Sequence, residues 1–149
     1  MTSDFVKITS FIRSFLEVKR RPKVIKYEEL NVDFLIGMFP EFEEEICHEV
    51  DWFGEFLPHC VFGNVLNYKV VELLKREDYL ENEVLHRIFK MYEDFAVTGD
   101  EETQNLLQVT LLEYLWDEKI TYERSLEIMG SGTKEIWDCI QEYILIPTE

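Results

Sequence analysis

The chain has 149 residues, a formal net charge of −16 and a hydrophobic content of 46%. This length suits a single domain that buries about 70% of its unfolded surface, and the apolar content excludes a disordered chain. No stretch approaches about 20 uninterrupted apolar residues, which predicts no transmembrane helix. The N-terminus alternates charged and apolar residues without a continuous signal-peptide core, so we expect a cytoplasmic protein.

Charge is distributed unevenly along the chain. Residues 1–27 contain seven Lys and Arg residues and two acidic residues, a net charge of +5, so the other 122 residues carry −21. Residues 28–55 hold ten acidic residues and no Lys or Arg. Direct nucleic-acid binding is disfavoured, because such binding draws its affinity from cations that contact phosphate. A cationic partner is favoured, although acidic surfaces also serve solubility alone.

Helical periodicity dominates the first third of the chain. A helix is predicted over residues 4–18, with one face formed by Phe5, Ile8, Phe11, Ile12, Phe15 and Leu16. Residues 24–27 form the one candidate strand, which has no evident partner. Short helices are predicted over residues 32–39 and 41–53, the second with a core face of Phe42, Ile46, Val50 and Phe53.

Three longer patterns follow Pro58. The first carries a broad apolar band formed by Val61, Phe62, Val65, Leu66, Tyr68, Val70 and Leu73. Gly63 in that band predicts a close helix crossing, since glycine is otherwise costly within a helix. Asn82 and Gly99 delimit the next helix, whose inward residues are Val84, Leu85, Ile88, Phe89, Tyr92 and Phe95.

The third pattern, residues 100–118, is termed the central helix. Asp100 is its predicted N-cap, and apolar residues cover most of its circumference: Leu106, Leu107, Val109, Leu111, Leu112, Leu115 and Trp116. A helix that is apolar nearly all round is buried on several sides. We therefore expect the rest of the domain to pack around it.

Two short helices are predicted near the C-terminus. Thr121 is the expected cap of the first, which should end at Gly130 in the left-handed conformation. Thr133 is the expected cap of the second, whose core residues are Ile136, Trp137, Ile140 and Ile144. The chain thus predicts one all-α domain, residues 1–149, of about seven helices. The helix pairs after Pro58 resemble an α-solenoid in rhythm, without a fixed-period repeat.

No catalytic motif is present, and we predict a protein that is not an enzyme. The cysteines, Cys47, Cys60 and Cys139, are odd in number and scattered, so they are predicted to be buried free thiols. Two Glu-x-x-His pairs, Glu45 with His48 and Glu83 with His86, have the spacing found in helical di-iron bundles. The second pair shares its side with cations that would repel a metal, so no metal or other cofactor is expected.

The strongest functional signal lies in EFEEEICHEVDWFGE, residues 41–55. Aromatic residues rimmed by charge suit a protein-binding hot spot, and Trp52 borders the acidic side of the predicted helix. The alternative is an ordinary amphipathic helix whose aromatic residues belong to the core. The candidate partner-binding residues are Glu43, Glu44, Glu45, Glu49, Asp51, Trp52 and Glu55.

Residues 62–140 include VTGDEETQNLL, LLEYLWD and MGSGTKEIWDCI. This stretch resembles small acidic all-α bacterial immunity proteins, which are encoded beside secreted or contact-delivered toxins of polymorphic toxin systems. The resemblance implies a cytoplasmic, non-catalytic inhibitor that binds a toxin domain, often a nuclease with a basic face. It transfers no active-site residues, because none of these motifs is catalytic.

We therefore expect an immunity protein, active for example in contact-dependent growth inhibition, that neutralises a cognate cationic toxin domain through its acidic surface. Neither nucleic acid nor a membrane is an expected partner. One alternative is a metal-binding helical protein or oxidoreductase that uses the two Glu-x-x-His pairs. A second alternative is an acidic adaptor for another protein.

Overall fold

The computed structural model describes residues 23–148, and the helix predicted over residues 4–18 lies outside this range. The described part is all-α, as predicted, and contains no β-strand. Its seven α-helices are α1 (Val32–Met38), α2 (Glu43–Phe53), α3 (Pro58–Leu74), α4 (Glu83–Thr98), α5 (Glu101–Asn105), α6 (Lys119–Ile128) and α7 (Ser131–Ile140). No helix within residues 23–148 is both long and apolar enough to cross a membrane.

Three helix boundaries follow their local signals. The Asn82 side chain accepts a hydrogen bond from the Leu85 amide, and Asp100 accepts one from Thr103, so both predicted N-caps are confirmed. Gly54 ends α2 with φ of 76°, a left-handed conformation that favours glycine. The candidate strand makes a single parallel bridge, between Ile25 and Gly99.

The central helix changes geometry along its length. It begins as α5, widens into a π-helix over Leu106–Leu112 and tightens into a 3-10 helix over Glu113–Trp116. The predicted uninterrupted α-helix is therefore wrong in its middle and end. Asn67 of α3 contacts both segments: its Nδ2 atom donates to the Thr110 carbonyl of the π-helix over 2.9 Å, and its carbonyl accepts from the Tyr114 hydroxyl of the 3-10 helix.

The core is built around the central helix, as predicted. Its five leucines are fully buried: Leu106, Leu107, Leu111, Leu112 and Leu115. Two predicted core residues are on the surface instead. Val109 is 41% exposed because the side of the π-helix on which it lies is left open. Tyr68 is 55% exposed because its ring lies at the edge of a groove, where the hydroxyl reaches Glu45.

The junction between α6 and α7 differs from the sequence prediction. Thr121 lies within α6 and donates to the Leu115 and Glu118 carbonyls, while Gly130 has a φ of −79° and is not left-handed. Thr133 does not cap α7 either. The Glu93 carboxylate, from α4, accepts hydrogen bonds from the Gly132 amide and from the amide and hydroxyl of Thr133. A residue distant in sequence therefore takes the role assigned to local caps.

The cysteines are free, but they are not buried as predicted. Cys47 and Cys139 are exposed, and Cys60 is half-buried. The first lies on a flank of α2 beside the buried Ile46, and the second lies on the side of α7 away from the buried Trp137. Cysteine generally prefers the interior, but these two positions lie on sides of their helices that face away from the core.

Gly63 lies at a close crossing of α3 and the central helix, as predicted. A Cβ atom added there would stand 3.1 Å from the Thr110 Cγ2 atom. We expect Gly63→Val to be about 1–3 kcal/mol less stable than Gly63→Ala, because its two extra methyl groups have no space beside Thr110. Chemical denaturation of both variants measures this difference. Equal stabilities would show that the two helices separate freely.

Candidate functional surface

The structure brings most of the predicted partner-binding residues to one side of α2. At 100° per residue, Glu45, Glu49 and Trp52 form one ridge, which faces α3. Glu44 and Asp51 lie on the adjoining outer ridge. Glu43 lies on the opposite flank of the helix, and Glu55 follows the end of α2. We call Glu44, Glu45, Glu49, Asp51 and Trp52 the α2 face.

A groove of about 410 Å³ separates the α2 face from α3. Its lining residues are Glu44, Glu45, His48 and Glu49 from α2, with Asn64, Val65 and Tyr68 from α3. Asn64 Nδ2 donates to Glu49 over 3.1 Å, so this carboxylate is held against the α3 wall. The groove is acidic on one wall and polar or aromatic on the other.

One end of the groove shows how this surface holds a cation. The Lys69 ammonium lies 2.6 Å from the Glu45 carboxylate and 2.8 Å from the Tyr68 hydroxyl. It also lies 4.6 Å from the ring centroid of Phe42 and 4.7 Å from that of Tyr68, within cation–π range. Partial burial opposes the charge, but the hydrogen bonds to Glu45 and Tyr68 outweigh this effect and raise the pKa of Lys69.

The outer carboxylates of this surface have no such cation. Within residues 23–148, no Lys or Arg forms an ion pair with Glu44, Asp51 or Glu55, which are exposed. Eight of the ten Lys and Arg residues in this range already pair with other carboxylates. The negative potential of the α2 face is therefore largely uncompensated by the described part of the chain.

Trp52 is the most exposed aromatic side chain described, with 77% of its surface accessible. It lies about one turn beyond Glu49 on the ridge that borders the groove. The core face of α2 is formed instead by Ile46, which is fully buried, and by the half-buried Phe42 and Val50. Trp52 thus offers a large apolar surface beside carboxylates, the composition of an interface anchor.

The two Glu-x-x-His pairs are engaged separately. Glu45 holds Lys69, and Glu83 holds Arg87, which also binds Glu41 and the Met38 carbonyl. Within residues 23–148, no group of three or more His, Cys, Asp or Glu side chains is placed to bind a metal ion. The arrangement on α2 instead suits recognition of cationic groups.

The sequence pattern predicts the acidic wall of the groove but not the opposite wall. Asn64 lies 15 residues from its partner Glu49, and Tyr68 lies 23 residues from Glu45. The apolar band of α3 predicts Tyr68 in the core, because the residue continues that band. No pattern within a single helix links these residues, since their proximity depends on how α2 packs on α3.

Together these features define an all-α domain with an acidic, aromatic-edged surface. The chain belongs to the family DUF7674, described as a domain of unknown function, whose match covers residues 32–143. This range contains all of α1 to α7. No curated protein and no solved structure matches the chain.

Proposed function

We propose that this protein is a non-catalytic immunity protein that resides in the cytoplasm and neutralises a cationic toxin domain by binding it through the α2 face. The observation that carries the proposal is that the exposed carboxylates Glu44, Asp51 and Glu55 have no cation partner within residues 23–148, while Trp52 is exposed beside them. The resemblance of residues 62–140 to immunity proteins supports the same role. Occlusion of a basic active site requires affinity and complementary charge, but no catalytic residue.

In this proposal, charge acts on the association rate and packing acts on the dissociation rate. The charge of −21 on residues 28–149 attracts a basic domain and speeds its encounter. Exposed carboxylates such as Glu44 and Asp51 act mainly at this stage, because water screens them in the complex. The Trp52 indole acts after encounter, since burial of its apolar surface slows dissociation.

Charge reversal at two exposed carboxylates of the α2 face and at the adjacent Glu55 tests the effect of charge on association. We expect Glu44→Lys/Asp51→Lys/Glu55→Lys to slow association with the toxin domain encoded by the neighbouring gene by at least about tenfold at low salt. The matched control is Glu72→Lys/Glu77→Lys/Glu142→Lys, which changes net charge equally at exposed sites outside the α2 face. Stopped-flow kinetics at two salt concentrations provide the measurement, and circular dichroism verifies folding. An equal effect of both triple variants would exclude the α2 face as the specific contact.

The same binding measurement tests the role of Trp52 as an interface anchor. Trp52→Ala should accelerate dissociation about 30-fold, equivalent to about 2 kcal/mol, with little change in the association rate. Because Trp52 makes little contact with the core, the melting temperature should stay close to that of the parent. Tyr143→Ala, at another exposed aromatic residue, is the control. Unchanged dissociation in the Trp52 variant would remove this side chain from the interface.

A further inference from the structure

The groove between α2 and α3 holds two carboxylates in fixed positions. Glu45 and Glu49 are four residues apart on the ridge of α2 that faces α3, so their Cβ atoms are about 5–6 Å apart. Both residues are half-buried, and donors from α3 hold one oxygen of each. Glu45 Oε2 accepts from the Tyr68 hydroxyl over 3.2 Å and lies 2.6 Å from the Lys69 ammonium. Glu49 Oε2 accepts from Asn64 Nδ2 over 3.1 Å.

The second oxygen of each carboxylate is available to a ligand. Within residues 23–148, neither Glu45 Oε1 nor Glu49 Oε1 accepts a hydrogen bond from another residue. Lys69 balances the charge of Glu45, whereas the Asn64 amide that holds Glu49 is neutral. The described part of the chain therefore leaves one of the two negative charges uncompensated. Both carboxylates are already oriented, so a further cation can use their free oxygens without having to order them first.

Lys69 shows that groups at one end of this groove bind a positive charge. Only 15% of its side chain is accessible, and its ammonium lies 4.6 Å from the ring centroid of Phe42. A lysine side chain loses much conformational freedom when it is held in this way. The contacts with Glu45, Tyr68 and Phe42 offset that loss. This cation is an observation separate from the number of acidic residues in α2, and it indicates the class of ligand that the groove accepts.

We propose that the groove receives an arginine side chain of the partner, whose guanidinium bridges the free oxygens of Glu45 and Glu49. Resting on the proposed function, this site gives the α2 face a specific chemical group to recognise. The groove, of about 410 Å³, has the size of a pocket for a side chain or a small ligand. The Tyr68 ring belongs to its lining and supplies the aromatic surface on which guanidinium groups pack.

The geometry of the two carboxylates favours arginine over lysine. A guanidinium is planar and carries five N–H donors, so two of its edges can each serve one carboxylate. An ammonium is a compact point charge that serves one carboxylate at a time in this arrangement, as Lys69 does with Glu45. The i,i+4 spacing of Glu45 and Glu49 therefore selects for the shape of the cation as well as for its charge.

Two capped tripeptides measure this preference without the partner protein. The probes are acetyl-Gly-Arg-Gly-amide and acetyl-Gly-Lys-Gly-amide, which carry the same net charge. In heteronuclear NMR titrations of the full chain, we expect the arginine peptide to bind at least about fivefold more tightly than the lysine peptide. The arginine peptide should also shift the side-chain amide signal of Asn64. Equal affinities of the two peptides, or shifts confined to residues outside the groove, would overturn the proposal.

Charge-matched variants locate the site. Glu49→Gln should weaken binding of the arginine peptide at least about fivefold and reduce its advantage over the lysine peptide, because one of the two carboxylates is lost. Glu77→Gln removes the same charge at an exposed position after the end of α3, outside the groove, and should leave both affinities close to those of the parent. Equal losses in the two variants would show a general charge effect and overturn the proposal.

The toxin domain encoded by the neighbouring gene separates this site from the proposed function. Glu49→Gln should raise the Kd of that complex at least about tenfold, and Glu77→Gln should not. A complex that responds to Glu44→Lys/Asp51→Lys/Glu55→Lys but not to Glu49→Gln would overturn the arginine site and leave the proposed function intact. Selective binding of the arginine peptide, without binding of the toxin domain, would support the arginine site and contradict the toxin as its partner.

Discussion

Leu112→Ala is expected to destabilise the protein by about 2–5 kcal/mol, the range for a buried leucine whose removal leaves a cavity. Leu112 is fully buried and ends the π-helical segment of the central helix. The π-helical segment that contains Leu112 contacts α3, α4, α5 and α7, so movement of one helix alone would not close the space. Guanidinium denaturation followed by circular dichroism measures the loss.

Val109→Ala is the matched control on the same π-helical segment. Its side chain is 41% exposed, so we expect a change of about 0.5 kcal/mol or less. The difference between the two losses of stability therefore reports the burial of Leu112, because both substitutions lie in the same segment. If Leu112→Ala melted like the parent protein, the central helix would not be the centre of the core.

Glu93→Ala should produce the second large loss, about 2–3 kcal/mol, because three hydrogen-bond donors at the start of α7 lose one charged acceptor. The carboxylate also lies at the positive end of the α7 dipole. Gly130 and Gly132 provide the space for this contact, since a Cβ atom at either position would stand within 3.0 Å of a Glu93 carboxylate oxygen. Asp94→Ala is the control, because Asp94 forms a surface pair with Lys90.

The stabilising effect of Glu93 should depend on pH. Partial burial opposes its charge, but the hydrogen bonds from Thr133 and Gly132 outweigh this effect and lower the pKa of the Glu93 carboxyl below its ordinary value of 4.5. The charged form is therefore favoured in the folded state, and the contribution is fully present above that value. It should decrease as pH falls below about 4.5 toward the folded-state pKa.

Denaturation of the parent and Glu93→Gln proteins across a range of pH measures this dependence. The difference in unfolding free energy should be constant from pH 7 to about 5 and should shrink below that. Glutamine keeps the size of the side chain and one carbonyl acceptor, so the comparison isolates the charge. A constant difference down to about pH 3 would contradict this role of the carboxylate.

Local signals along the chain identify several structural features because the responsible atoms are close in sequence. Asn82 and Asp100 cap helices through amides three residues away. Gly54 ends α2 through its own backbone freedom. The leucine pattern of the central helix identifies its buried residues in spite of the change in helix geometry. For the candidate surface, the same local patterns identify the carboxylates and Trp52 of α2, since helical phase distinguishes them from Ile46.

The all-α class, most helix boundaries, the buried leucines and the acidity of α2 follow from the amino-acid sequence alone, because they depend on neighbouring residues and on apolar periodicity. Helix packing determines three other features: Glu93 caps α7, Tyr68 faces Glu45 across a groove, and Val109 is exposed. Each of these depends on which helices meet and at what distance. Packing brings Tyr68 and Glu45, 23 positions apart, and Glu93 and Thr133, 40 positions apart, into contact. A pattern within one helix carries no information about such partners.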